Sequence, residues 1–183
     1  MKDNITLLHG GYHSRKPPRI TARDRMQPSL LDRLTDNEPS EIKETASHYL
    51  LSHKKLRQNL LRDLQWLLNT INREPHQDFS FFPQLVNSVY NFGISPLAGK
   101  CISDIEWDDI KNKITHAIQI FEPRIIPDEL HVRCISDICS LSLYNVLSIE
   151  IKGFMWCIPW PIEFLFRSDI DLENGYITMK QAG

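Results

Sequence analysis

Glu122 and Arg124, on either side of Pro123, are the residues whose types and spacing most invite chemistry. Two kinds are open to them. A carboxylate and a guanidinium fixed at one stiff corner can read a complementary charge pattern on a partner. The proline keeps the corner rigid, which lowers the entropy lost on docking. Glu122 is also the obvious acid of a glycoside hydrolase, which needs a second carboxyl group across the scissile bond. Arg124 opposes that role, because a nearby cation favours the charged carboxylate over the proton donor. Asp104, Glu106, Asp108 and Asp109 belong to the far start of the same helix, and nothing in the sequence brings Asp169, Asp171 or Glu173 close. The plain alternative is a solvated helix end, with Arg124 favoured by the C-terminal dipole.

Other chemistry is weaker. The seven histidines include no H-x-x-x-H pair flanking a glutamate, and there is no P-loop and no G-x-G-x-x-G. Cys101, Cys134, Cys139 and Cys157 are scattered without a C-x-x-C pair, as reduced, mostly buried thiols of a cytosolic protein would be. Cys134 and Cys139, with His131 nearby, can be drawn as metal ligands. Their odd separation puts the two thiols on opposite faces of a regular strand, and they read more simply as small buried side chains. No catalytic residue, metal or cofactor is therefore expected. The formal net charge of -2 gives no overall basic field for nucleic acid. The N-terminus lacks the pattern of a signal peptide, and no run of about 18 apolar residues exists to enter a membrane.

The elements that must position the corner come next. Trp107, Ile110, Ile114, Ala117, Ile118 and Phe121 recur at helical spacing, so residues 104–121 are expected as a helix. Ser103 and Glu106 have the spacing of a capping box, and Pro123 stops the helix. A second stripe, Leu56, Leu60, Leu61, Leu64, Leu67, Leu68 and Ile71, predicts a core-facing helix over 53–71 within a helical region opened by Ser40, with Trp66 beside the stripe. After the aromatic cluster 79–82, a short helix from Pro83 is expected to turn Leu85, Val86, Val89 and Tyr90 inward and to stop at Gly93. Ahead of all this, residues 1–27 read as a basic, flexible arm. Leu30, Leu31 and Leu34 form a face too short to be stable alone, which must pack on its own domain or on another subunit.

Past Arg124 the texture becomes β-branched and aromatic. Strands are expected around 130–135, 147–152, 163–170 and 176–179, with Gly153 as a bend or bulge and Asn174-Gly175 as a turn. Helices first and strands last imply an α+β fold. One domain, 28–183, would pack helices from about 40–121 on one face of a small, mostly antiparallel, three- to four-stranded sheet from about 125–179.

Four pieces stand in a familiar order: Ser29-Leu30-Leu31-Asp32-Arg33-Leu34, then Arg62-Asp63-Leu64-Gln65-Trp66-Leu67-Leu68-Asn69-Thr70, then Ser88-Val89-Tyr90-Asn91-Phe92-Gly93, then Phe121-Glu122-Pro123-Arg124 closing a helix. Together they resemble the TssE family, the baseplate-wedge component of the type VI secretion system, related to the short wedge protein of contractile phage tails. The resemblance spans roughly residues 28 to 179. It implies a structural subunit in the cytoplasm, at the inner membrane of a Gram-negative bacterium, with a fold similar to the interlocking domain of the sheath subunit. The expected partners are the wedge subunits TssF, TssG and TssK and the sheath subunits TssB and TssC, with the central spike hub as a further candidate. Glu122, Pro123 and Arg124 carry the family's sheath-anchoring signature, acting with an open sheet edge. Leu30, Leu31 and Leu34 are assigned to the wedge contact. The leucine-helix motif departs from the family where Ile71 and Asn72 precede Arg73, so Arg73 receives no role. Because the family has been described as lysozyme-like, peptidoglycan hydrolysis through Glu122 stands as the alternative, and a generic protein-binding module as a further one.

Overall fold

The computed structural model describes residues 29–35, 39–40, 51–74, 76–99, 106–135, 145–157 and 160–182. The basic arm, residues 41–50 of the expected helical region, and Cys101, Ser103 and Cys139 lie outside the described residues.

Helix α1 is Leu30–Leu34 and helix α2 is His53–Asn69. The Ser52 side chain accepts a hydrogen bond from the Lys55 amide at 3.2 Å and caps the start of α2. Leu56, Leu60, Leu64, Leu67 and Leu68 are buried along one face, the stripe expected from the 3.6-residue period. That stripe stops a turn early: Ile71 lies beyond the helix and is exposed. Gly93 explains how the next loop closes against the helix end. It has φ +118°, and a Cβ there would sit 2.2 Å from the Thr70 carbonyl oxygen. Its bareness lets the Ile94 amide donate to that oxygen at 2.9 Å. The segment before it differs from expectation. Its 3-10 turns, Pro83–Leu85 and Val89–Asn91, half-bury Leu85 and Val86 but leave Val89 and Tyr90 exposed. A 3-10 turn advances 120° per residue, so the inward face of an α-helix is not preserved.

Helix α3 is Trp107–Phe121, with Glu106 at the N-cap. Glu106 is therefore not the third helical residue that a capping box requires, and its side chain makes no cap hydrogen bond. Asp108 and Asp109 still occupy the first turn, where the dipole favours them.

The strands are β1 His131–Cys134, β2 Val146–Met155, β3 Ile162–Asp171 and β4 Ile177–Gln181. They form one antiparallel meander in sequence order, with β1 and β4 at the edges. Gly153 makes no bulge: β2 and β3 pair one to one from Val146 with Asp171 to Met155 with Ile162. Gly153 faces Phe164, whose ring would lie 3.0 Å from an added Cβ, so this glycine makes room for an aromatic. Leu147, Ile149, Ile151, Phe164, Phe166, Ile170, Ile177 and Met179 point to the side that carries α2 and α3, and join their leucines and isoleucines in one core. The architecture is α+β, a few helices with a four-stranded antiparallel sheet.

Candidate functional site

The corner forms because α3 runs into Pro123, which has no amide hydrogen for another helical bond. Glu122 is the C-cap, its own amide still bonded to Ile118 at 2.9 Å. The chain then turns back on the sheet: the Ile125 amide reaches the Glu122 carbonyl at 3.1 Å, and the Trp156 amide donates to the Arg124 carbonyl at 2.7 Å.

The corner is not the solvated helix end of the plain alternative. Glu122 is only 6% exposed. Burying a carboxylate is costly unless it is paired, and Arg124 supplies a forked pairing, Nε to Oε1 at 2.6 Å and Nη2 to Oε2 at 2.5 Å. The Arg124 backbone amide adds a longer bond to Oε1 at 3.3 Å. Pro123 itself is exposed between them.

Arg124 also donates from Nη2 to Asp63 Oδ2 at 2.6 Å. Asp63 in turn accepts from Arg62 Nε at 2.8 Å, and Arg62 Nη1 donates to Asp32 Oδ1 at 2.6 Å. The other Asp32 oxygen accepts from Asn59 at 2.7 Å and from Ser29 at 2.6 Å. An alternating chain of charge therefore runs Glu122–Arg124–Asp63–Arg62–Asp32, from the end of α3 across α2 to α1. Burial opposes the charge on Arg124, but the hydrogen bonds and attraction of Glu122 and Asp63 outweigh it and raise its pKa above the ordinary value. Asp32 is held below the usual carboxylate range, with burial pushing upward and the bonds from Arg62 and Ser29 pulling further down. The Arg62 cation is strengthened by Asp32 first, against its own burial.

This network decides how α1 sits. Its polar side, through Asp32, is turned to the domain, while Leu30 (70% exposed), Leu31 (44%) and Leu34 (74%) face solvent. Of the two packing options, the leucines do not pack on their own domain among the described residues. Asp32, Arg62 and Asp63 were not singled out as site residues by sequence reasoning. The signal for them was positional: Arg62 and Asp63 fall on the polar face of α2, but nothing in the chain tells that Arg124, 61 positions later, lands on Asp63. The structure brings Glu122 and Arg124 together and links them to α1, but not to Asp169, Asp171 or Glu173, which lie at the other end of β3. Among the described residues no cluster of His, Cys, Asp or Glu is placed to hold a metal ion, and no helix is long and apolar enough to cross a membrane.

A stiff internally paired corner, an outward leucine segment and two sheet edges are the makings of a subunit that joins others. A family model described as baseplate wedge protein gp25 matches residues 54–159. The chain belongs to this family, the TssE family of phage baseplate-like proteins. Its role is thus that of a structural baseplate component, a class that works through contacts with other baseplate proteins. No curated protein and no solved structure matches the chain.

Proposed function

We propose that this chain is the wedge subunit of a type VI secretion baseplate in the cytoplasm, at the inner membrane, and that Glu122, Pro123 and Arg124 with a sheet edge anchor the contractile sheath of TssB and TssC. The observation that carries this reading is the pre-formed corner: a forked ion pair, stiffened by proline, whose chain continues directly along the flank of the sheet. Such a corner offers fixed charge and fixed backbone with little left to order on binding. Leu30, Leu31 and Leu34 supply a second contact, to the wedge subunits TssF, TssG and TssK, and their exposure supports it. Residues 28–183 act as one domain in this reading, with the basic arm of residues 1–27 ahead of it. The hydrolase alternative draws less support, because both Glu122 oxygens are engaged by Arg124 in a buried setting.

The test is sheath assembly, followed with tagged sheath subunits, in cells carrying Arg124→Glu, with circular dichroism on the purified variant. Loss of sheath with an intact fold supports the reading. Normal sheath with an intact fold reduces the corner to a fold-holding device. Should Arg124→Glu melt below the assay temperature, Arg124→Lys keeps the charge, loses the fork and is scored the same way.

A further inference from the structure

Resting on the sheath-anchoring reading, we infer that the partner adds its strand to the β1 edge of the sheet, continuous with the corner, and not to the β4 edge. The register fixes which backbone groups point outward. In an antiparallel ladder, hydrogen-bonded and non-bonded residues alternate. The Ile135 amide donates to the Ser148 carbonyl at 2.9 Å, so Arg133 and His131 also bond inward to β2 and Val132 and Cys134 turn their N–H and C=O groups outward. Further up the same flank of β2, the Ile126 amide donates to Phe154 at 2.9 Å and the Arg124 carbonyl accepts from Trp156. The corner and β1 therefore line one side of one strand, in that order, with a 3-10 turn at Pro127–Glu129 between them. A strand docking along β1 runs towards Arg124.

The opposite edge is plugged at its first outward residue. The Asp171 amide bonds the Tyr176 carbonyl at 3.0 Å, so in β4 it is Ile177 and Met179 whose backbone groups point outward. At Ile177 both are already taken. The Asn69 amide donates to the Ile177 carbonyl at 2.8 Å and its Oδ1 accepts from the Ile177 amide at 2.8 Å. One side chain at the end of α2 thus imitates the backbone of a neighbouring strand, and Ile177 is 0% exposed. A strand pairing along the whole of β4 would have to displace Asn69 and lose both bonds, and one that avoids it keeps only the stretch from Met179 onward. Nothing comparable occupies Val132 or Cys134 among the described residues.

The chemistry of the partner strand follows from the outer sheet face. Glu150 is buried between Arg133 on β1, at 2.5 Å, and Arg167 on β3, at 3.8 Å. Arg133 spends Nε and Nη2 on Glu150 and is 70% exposed, so the rest of its guanidinium stands open on the β1 edge. A partner strand carrying a carboxylate on that face is complementary to it; a basic one is repelled.

Disulfide trapping tests this on the full chain co-expressed with the sheath subunits. His131→Cys marks the outer face of β1 and Thr178→Cys that of β4; both residues are exposed. Single cysteines are walked along the extended segments of the sheath subunits, and the unsubstituted chain gives the background from native thiols. Cross-strand neighbours are close enough to bridge. The expected result is a ladder of cross-links at alternate positions with His131→Cys and none with Thr178→Cys. Cross-links only through Thr178→Cys, or equally through both, overturn the choice of edge while leaving sheath anchoring intact. Attachment of sheath without cross-links at either position overturns strand addition. Failure of the unsubstituted chain to bind sheath at all overturns the anchoring reading itself.

Discussion

Replacing Arg124 by alanine separates a corner that merely ends a helix from one that holds buried charge. The substitution removes both hydrogen bonds to the Glu122 carboxylate and the bond to Asp63. The Glu122 side chain is 7% exposed and that of Asp63 20%, so neither recovers much hydration. Removing one partner of a buried ion pair costs roughly 3–5 kcal/mol, mostly because the remaining charge is stranded. Arg124 itself is 29% exposed, so water can enter where it stood, and the lower end, about 3 kcal/mol, is expected. For a chain of this size that is a fall in melting temperature of roughly 6–12 °C. Urea unfolding followed by tryptophan fluorescence measures it, and a cycle with Glu122→Gln identifies the cause. If the stranded carboxylate is responsible, Glu122→Gln on top of Arg124→Ala restores at least about 1 kcal/mol, and the two changes are far from additive. An Arg124→Ala protein within about 0.5 kcal/mol of the parent, additive with Glu122→Gln, would mean that no buried charge is stranded at the corner.

Leu64→Ala, at a position with 0% exposure, should cost roughly 2–5 kcal/mol in the same urea experiment; an unchanged midpoint contradicts the packing of α2. Gly93→Ala should destabilise by more than 1 kcal/mol as judged by thermal melting, since alanine meets the Thr70 carbonyl and a strained φ at once. Asp32 has a depressed folded pKa, so its contribution is present above the unfolded value and fades as pH falls through the lower, folded one. The protection factors of α1 amides, exchange rates taken relative to the intrinsic rate at each pH, should therefore fall below about pH 4, and Asp32→Asn should remove that step.

The elements were legible where one physical signal ruled. The leucine period of α2, the isoleucine period of α3 and the alternation of β2 and β3 each reported one buried face, and Asn174-Gly175 marked its turn, with Gly175 at φ +74°. Expectation failed where a face was chosen by something other than apolar burial. The Leu30, Leu31 and Leu34 face left its partner open in the sequence, and the choice is made by Asp32, which takes the inward position because Arg62 and Asn59 bond it. Val89 and Tyr90 look inward only if the turn is α-helical, and it is not. The charged corner was visible as Glu122, Pro123 and Arg124, but its burial was not. Burial depends on Asp63 and on β2, both remote in sequence, and local pattern carries no record of such contacts. Asn69 is the extreme case: a polar residue at a helix end reads as a cap, and only the sheet register reveals its bonds to Ile177.

Those bonds also impose a timetable on synthesis. Asn69 and Ile177 are 108 residues apart, and Arg57 reaches the Glu163 carbonyl over 106. At a ribosomal rate of roughly 5–20 residues per second, α2 waits about 5–20 s for the last strand that closes its site. For most of that interval its leucine face has no complete sheet to lie on, which invites a chaperone or an early encounter with another subunit. Nascent chains halted before residue 177 should therefore be far more protease-sensitive than released ones, and the final dozen residues of the meander set the moment at which the subunit becomes competent to assemble.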